Sequence, residues 1–407
     1  MIKDAYPTIS ITEEIDSTNE LKRFIEGKVS DDYGFRSLSA YVKVIGKDTA
    51  YTIRKPLKIN PKSPKQLFSY YIDMSQFSLR PGDRVEYSFT ITDNDEINSY
   101  KSTSSTKKVF NVPDMSELDN NLTEQSDKLK KDLDKSLQDS KDLQKKIKDI
   151  KTSLMNKPTP DWKDKQSMES LLDLKKKLDL NINKLQKDFE KQKNSQENFL
   201  EPDEEFLEKQ EKLQELMEAL MDDELKELFE ELEKLMEEMN KSQLLENLDE
   251  MEKETESMEE KMDRTLELFK NMELDQKLEN LEDQLKDLKE QQDELIKETQ
   301  DKNSSAEDLE KKQEEINKKF DEIQKDIEEV KEKNADLEKP RDLDFDKEME
   351  EQLDQDLNDA KEKLSEDKKG KSEKSQQNAS DKMEQMASDI RSEERRVGKE
   401  GRSRGSP

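Results

Sequence analysis

The 407-residue chain contains no cysteine and no histidine. Together these absences remove cysteine nucleophiles, disulfides, zinc fingers, histidine-based triads and the commonest transition-metal ligand. Absence of cysteine does not by itself assign a compartment. Glycine is scarce, with none between Gly82 and Gly370. Coil linkers and tight turns would need some, so long helices are expected across that gap. Apolar residues make up only 29% of the chain, too little to fill a globular core of this length. No apolar run approaches the roughly 18 residues that cross a bilayer, and none of the sequence reads as a signal peptide. The phosphate-cradling pattern GxxxxGK[ST] is absent, so nothing supports an ATPase.

What the chain has is charge: 43% charged residues and a net charge of −30. Such a chain is either disordered or forms long helices that bury a single stripe. The acidic balance argues against nucleic acid as a partner and against adsorption to anionic lipid. Its surplus concentrates between Glu201 and Asn240, where 17 acidic residues face 4 basic ones. The plain reading of that surplus is a solvated helix surface.

The apolar spacing decides for helices. Leu309, Gln313, Ile316, Phe320, Ile323, Ile327, Val330, Asn334 and Leu337 follow 4,3 steps. Leu274, Leu278, Leu281, Leu285, Leu288, Gln292, Leu295 and Thr299 do the same. This is the a/d stripe of a coiled coil. Paired carboxylates doing acid/base work need a pocket, which a narrow coiled coil does not offer.

The expected organisation is multidomain, β followed by α. Residues 1–113 hold all eight tyrosines and alternate apolar with polar residues. Strands are expected near Thr8–Thr12, Lys22–Ser30, Ser37–Ile45, Tyr51–Ile59, Leu67–Asp73, Asp83–Thr92 and Ser104–Val112. Seven short strands at this spacing predict an immunoglobulin-like β-sandwich. Residues 114–200 are expected to form a helical hairpin or stalk. Ser116 is the expected cap of its first helix, and Pro158 and Pro160 the corner that Trp162 packs shut. Residues 201–340 are expected to form acidic coiled-coil helices. The first runs from Asp203 to Asn240 with a stutter near Leu220 and Met221. A turn is expected at 301–305, with Ser304 and Glu307 as a capping box. The stripes on either side of it fit an antiparallel hairpin or a continuous parallel dimer. Residues 341–390 are expected to hold a weak helix over Phe345–Leu364 and a disordered tail from Glu366 to Ser380.

One constellation could carry chemistry. In an immunoglobulin-type sandwich the B–C and F–G loops share an end. Here those loops carry Asp31, Asp32, Asp93, Asp95 and Glu96. Carboxylates converging with backbone carbonyls suit Ca²⁺, and the four aspartates are its candidate ligands. The same residues also make turns by bonding nearby amides.

Two sets of motifs bear on family. Asp4-Ala5-Tyr6-Pro7-Thr8-Ile9, Gly27 to Phe35, Arg80 to Tyr87 and Asp93-Asn94-Asp95 form one set. Met262 to Lys270, leading into Lys277-Leu278, forms the other. Together the chain resembles the domain of unknown function 4175 family in its Bacteroidetes form, over most of residues 4–390. That resemblance implies membrane anchoring through helices upstream of Met1, which would make Met1 an internal start. It also implies an extracytoplasmic β domain in the cell envelope. The family has no established activity, so no catalytic residue carries over. Residues 391–407 change to arginine and glycine. The run Ser392 to Glu400 resembles a translated sequencing adapter, although Gly401 and Gly405 stand where that sequence usually has Cys and Trp. A genuine basic tail is the alternative. On the adapter reading the natural chain continues past Ile390. The expected function is a non-enzymatic scaffold acting through protein partners or self-association of its helices. The alternative is a ligand- or calcium-binding sensor with the helices as transmitter.

Overall fold

In the computed structural model, residues 5–47, 49–96, 100–200, 203–221, 223–301, 303–343 and 345–404 are described. An antiparallel β region in two sheets leads into a long helical region. The chain divides into two units: Met1–Glu204 with Met217–Met262, and Glu205–Leu216 with Asp263–Pro407.

The first unit opens with β1 (Thr8–Ile15), β2 (Lys22–Ser30), β3 (Phe35–Ile45), β4 (Ala50–Leu57), β5 (Lys65–Asp73), β6 (Arg84–Asp93), β7 (Ser102–Ser104) and β8 (Lys108–Asn111). One sheet has the order β1-β2-β5; the other has β4-β3-β6-β7, with β8 also on β6. Alternation explains the layering. In β2, Arg23, Ile25, Gly27 and Val29 face inward, whereas Phe24, Glu26 and Lys28 face solvent. Val29, Ile72, Phe35, Val42 and Phe89 join one buried cluster drawn from both sheets. The last expected strand is two: residues 105–107 interrupt it, where the Ser105 hydroxyl turns back to accept from the Phe89 amide.

Two helices follow, α1 (Met115–Met155) and α2 (Trp162–Phe199). They lie antiparallel, with Lys128 reaching Asp188, Lys184 reaching Asp132 and Lys177 reaching Asp139. Asp114, and not Ser116, caps α1, because only the residue before Met115 has the extended backbone a cap requires. Its carboxylate accepts from the Glu117 amide and Glu117 bonds back, completing a capping box. Trp162 is 72% exposed and does not pack the corner. Charge holds the corner instead. Asp164, at the third helical position, accepts from the Asp161 amide, from Ser153 and from Lys157.

The expected stutter near Leu220 is a full break between α3 (Glu204–Glu218) and α4 (Asp223–Glu238). Leu225, Phe229, Leu232, Leu235 and Met236 form the buried face of α4. It ends at Met239 with φ 54°, a left-handed residue that does the work usually given to glycine. Next comes α5 (Lys241–Gln300), 60 residues that span about 90 Å at 1.5 Å per residue.

In the second unit, α6 (Ala306–Ala335) runs antiparallel to the later part of α5. Lys312 meets Glu298, Lys319 meets Gln291, Lys277 meets Glu329 and Lys333 meets Glu273. The chain therefore turns at 301–305, and the hairpin arrangement is the one present. Ser305 caps α6 by position, without the side-chain bonds expected of Ser304 and Glu307. The tail differs most from expectation. After α7 (Lys347–Ser365), residues 366–380 are not disordered: α8 (Lys369–Arg404) begins within them. Ser372, Ser375, Gln376, Ala379, Met383, Ala387 and Ile390 make a buried stripe of small and polar residues. Such a stripe allows close helix approach while looking hydrophilic in composition.

Candidate functional site

The loops after β2 and β6 lie together, since Phe35 pairs with Asp93 and the Asn94 side-chain Nδ2 donates to the Tyr33 carbonyl at 3.1 Å. Asp31 is buried, and its Oδ2 accepts from the amides of Tyr33 at 3.0 Å and Gly34 at 2.9 Å. Gly34 is required there: its φ is +116°, and a Cβ would lie 2.3 Å from the Pro61 carbonyl oxygen. Asp93 is 1% exposed, and its Oδ1 accepts from the Asp95 amide at 3.3 Å. Asp95 pairs with Lys101 at 3.6 Å. Asp32 and Glu96 are exposed, and Asp32 accepts from the Ala5 amide at 3.4 Å.

The four aspartates thus share an end of the β region without forming one cage. Among the described residues no three or more acidic side chains gather as a metal site. Two oxygens stand apart from this turn-making. Asp31 Oδ1 and Asp93 Oδ2 are both buried without a hydrogen-bond partner. A buried carboxylate oxygen without a donor is costly.

Two further charge clusters are not evident from motifs. In the β region Arg23 points inward beside Glu13, 3.6 Å away, and stacks over Phe110. Tyr87 donates its hydroxyl to Glu13, and Lys108 lies 3.4 Å from the same carboxylate. Burial pushes the Arg23 guanidinium below its ordinary value, and Glu13 pulls it back. The alternation of β2 carried this signal, because it puts Arg23 on the face of Ile25 and Val29. In the second unit Arg341 binds Asp275 and the Asn271 side chain, and exchanges 2.8 Å bonds with Asn334. Lys209 reaches Asp275 at 2.9 Å, and Lys333 reaches Glu273 at 2.7 Å. Burial opposes the charge on Lys209, yet Asp275 and Glu205 together outweigh it and hold the ammonium above its ordinary value. Here Asp275 and Glu273 are each matched by a cation, which makes a clamp for the segment after α6.

A cavity of about 30 Å³ lies among Leu278, Leu343, Phe345, Met349, Met386 and Ile390. That is room for about one water, far below the roughly 300 Å³ of a small-molecule site. Among the described residues no helix is long and apolar enough to cross a membrane. Comparison with protein-family models, curated proteins and solved structures finds no match to this chain.

Proposed function

We propose that this protein is a non-enzymatic scaffold of the cell envelope, belonging with the domain of unknown function 4175 family and acting through coiled-coil helices. The observation that carries the reading is the fate of the apolar stripes. Leu274, Leu278, Leu281, Leu285 and Leu288 on α5 are buried together with Ile316, Phe320, Ile323 and Ile327 on α6. The two seams close together with Leu353, Leu357 and Leu364 of α7 and Met383 and Ile390 of α8, and they leave a charged exterior, the geometry of a spacer or platform. The sheet orders β1-β2-β5 and β4-β3-β6-β7 support an immunoglobulin-like sandwich, a fold often used for recognition. Photo-crosslinking from exposed α5 and α6 positions in native envelopes tests the scaffold. Discrete protein adducts are expected, and their absence would overturn it. The DNA upstream of Met1 tests family and compartment: codons for membrane-spanning helices are expected there.

A second reading, a calcium-responsive sensor module, has one observation behind it: the two unpartnered oxygens of Asp31 and Asp93. A hard cation would satisfy both. Calorimetric titration of the whole chain with Ca²⁺ separates this site from diffuse binding to acidic helices. On this reading the tightest binding phase disappears in D31N/D93N; an unchanged isotherm removes it.

A further inference from the structure

From Thr49 to Ile72 the chain has no acidic residue and five basic ones, Arg54, Lys55, Lys58, Lys62 and Lys65, within a protein of net charge −30. All five are exposed along the β4 edge and its connection to β5. None meets a carboxylate among the described residues. Arg54 donates to the Ser39 hydroxyl, and Lys55 lies over the Tyr70 ring. Elsewhere lysines are heavily paired, as at Lys151 with Asp249 and Glu252. The edge carries Pro56 as well, paired across from Ser39. Proline and lysine on an edge discourage strand addition, so an occupant here is read by side chains.

The same unit carries the complementary surface. α4 has eight acidic and two basic residues. Glu227, Glu230, Glu231, Glu237 and Glu238 are exposed, with no side-chain partner among the described residues. Glu227 to Glu237 covers about 15 Å of helix, against about 13 Å from Arg54 to Lys58 in extended chain. No ion pair among the described residues joins the two surfaces within one chain.

We propose that these surfaces meet between molecules: the β4–β5 edge of one copy docks on α4 of a second copy. Each copy then keeps one free edge and one free α4, so the contact is head-to-tail and extends into rings or chains. The net repulsion between copies acts at long range and is screened beyond about 8 Å at physiological ionic strength, whereas pairs in contact are screened less and weaken only as salt rises further. This contact uses the β region and goes beyond helix-mediated scaffolding.

Sedimentation velocity of the full chain tests it, using two charge-reversed variants, K55E/K58E/K62E/K65E and E227K/E230K/E231K/E237K. Wild type is expected to assemble with concentration and to weaken at least roughly tenfold between about 0.05 and 0.5 M NaCl. Each variant alone is expected to stay monomeric. Mixing them restores assembly, because the acidic edge of one now meets the basic α4 of the other, and this rescue excludes misfolding as the cause. A wild type that stays monomeric at all concentrations and salts overturns the proposal. So does assembly that either variant leaves intact, or a mixture that fails to associate. Wild-type lysines that bind phosphatidylglycerol vesicles while the protein stays monomeric would assign the edge to lipid and overturn it as well.

Discussion

Asp164 shows how much a single side chain carries where the fold turns a corner. It is 2% exposed, and it serves Lys157, Ser153 and the Asp161 amide together. Asp164→Ala is expected to destabilise the first unit by roughly 1–3 kcal/mol, because it leaves those donors unmatched in a closed corner. Thermal melts at neutral pH measure this. The pH dependence has a definite sign. Lys157 holds the Asp161 carboxyl below its ordinary value of 3.8. Burial would raise Asp164, but the Asp161 amide, Lys157 and Ser153 outweigh it and leave it lowered too. Groups lowered in the folded state stabilise it fully above 3.8 and lose that contribution as pH falls through their folded values. The gap in melting temperature between wild type and Asp164→Ala is therefore expected to close on acidification below about pH 4. Lys157 is raised above 10.5, through Asp161 and then Asp164. Its contribution is complete below 10.5 and fades as pH rises through its folded value. A gap that stays constant down to acid would contradict the network. At the other end of the chain, Asp367 closes α7 with φ 58° in an exposed position. Its amide donates to the Leu364 carbonyl and the Lys368 amide to Lys363, the pattern that favours glycine. Asp367→Gly is expected to stabilise the chain by roughly 0.5–1 kcal/mol in denaturant melts, since left-handed backbone strains any side chain. A loss of stability there would contradict it. Neither site was legible in the sequence. Trp162 drew attention because tryptophan usually packs, whereas here it is the first residue of α2 and faces solvent. The caps were legible in kind and wrong in place: Asp114 and Ser116 both lie before the stripe, and backbone angles decide between them.

At the scale of elements, apolar periodicity located the helices well and polar layers poorly. The end of α1 at Met155 and the turn after Gln300 follow from proline and stripe alone. Composition hid α8, because serine, alanine and glutamine bury as readily as leucine when helices approach closely. Gln376 of α8 shows the means. It donates to Gln313 of α6 at 2.9 Å, and Gln313 exchanges bonds with Gln292 of α5 at 2.9 and 3.2 Å. Gln313 also reaches Asn317, which bonds Asn358 of α7. An amide network therefore crosses four helices, and each of the three glutamines is fully buried. Such layers fix register at some cost in stability. Gln313→Leu is expected to cost roughly 1–3 kcal/mol, because it strands the amides of Gln292 and Gln376. Replacing all three by leucine is expected to recover that loss, while hydrogen exchange reports poorer protection across α8. Equal protection in the triple variant would show that the layer does not set register. The loop aspartates were legible as a cluster at one end of the β region. Their division into turn-makers and a lysine partner was not, since it depends on which amide each oxygen faces.

For the molecule as a whole, composition foretold a β region followed by long helices. Whether the α5 and α6 seams close on each other or on another chain was open, because a 4,3 stripe is the same in both arrangements. Within this chain Lys312, Lys277 and Lys333 join α6 to α5, which places the two seams side by side. A cysteine-free chain makes the decisive measurement clean. In Q292C/Q313C, oxidised at high dilution, the two cysteines replace side chains that already touch. The expected product runs as a single chain on a non-reducing gel, with both thiols consumed and compact mobility. Disulfide-linked dimers as the main product would contradict the hairpin and the self-contained scaffold built on it.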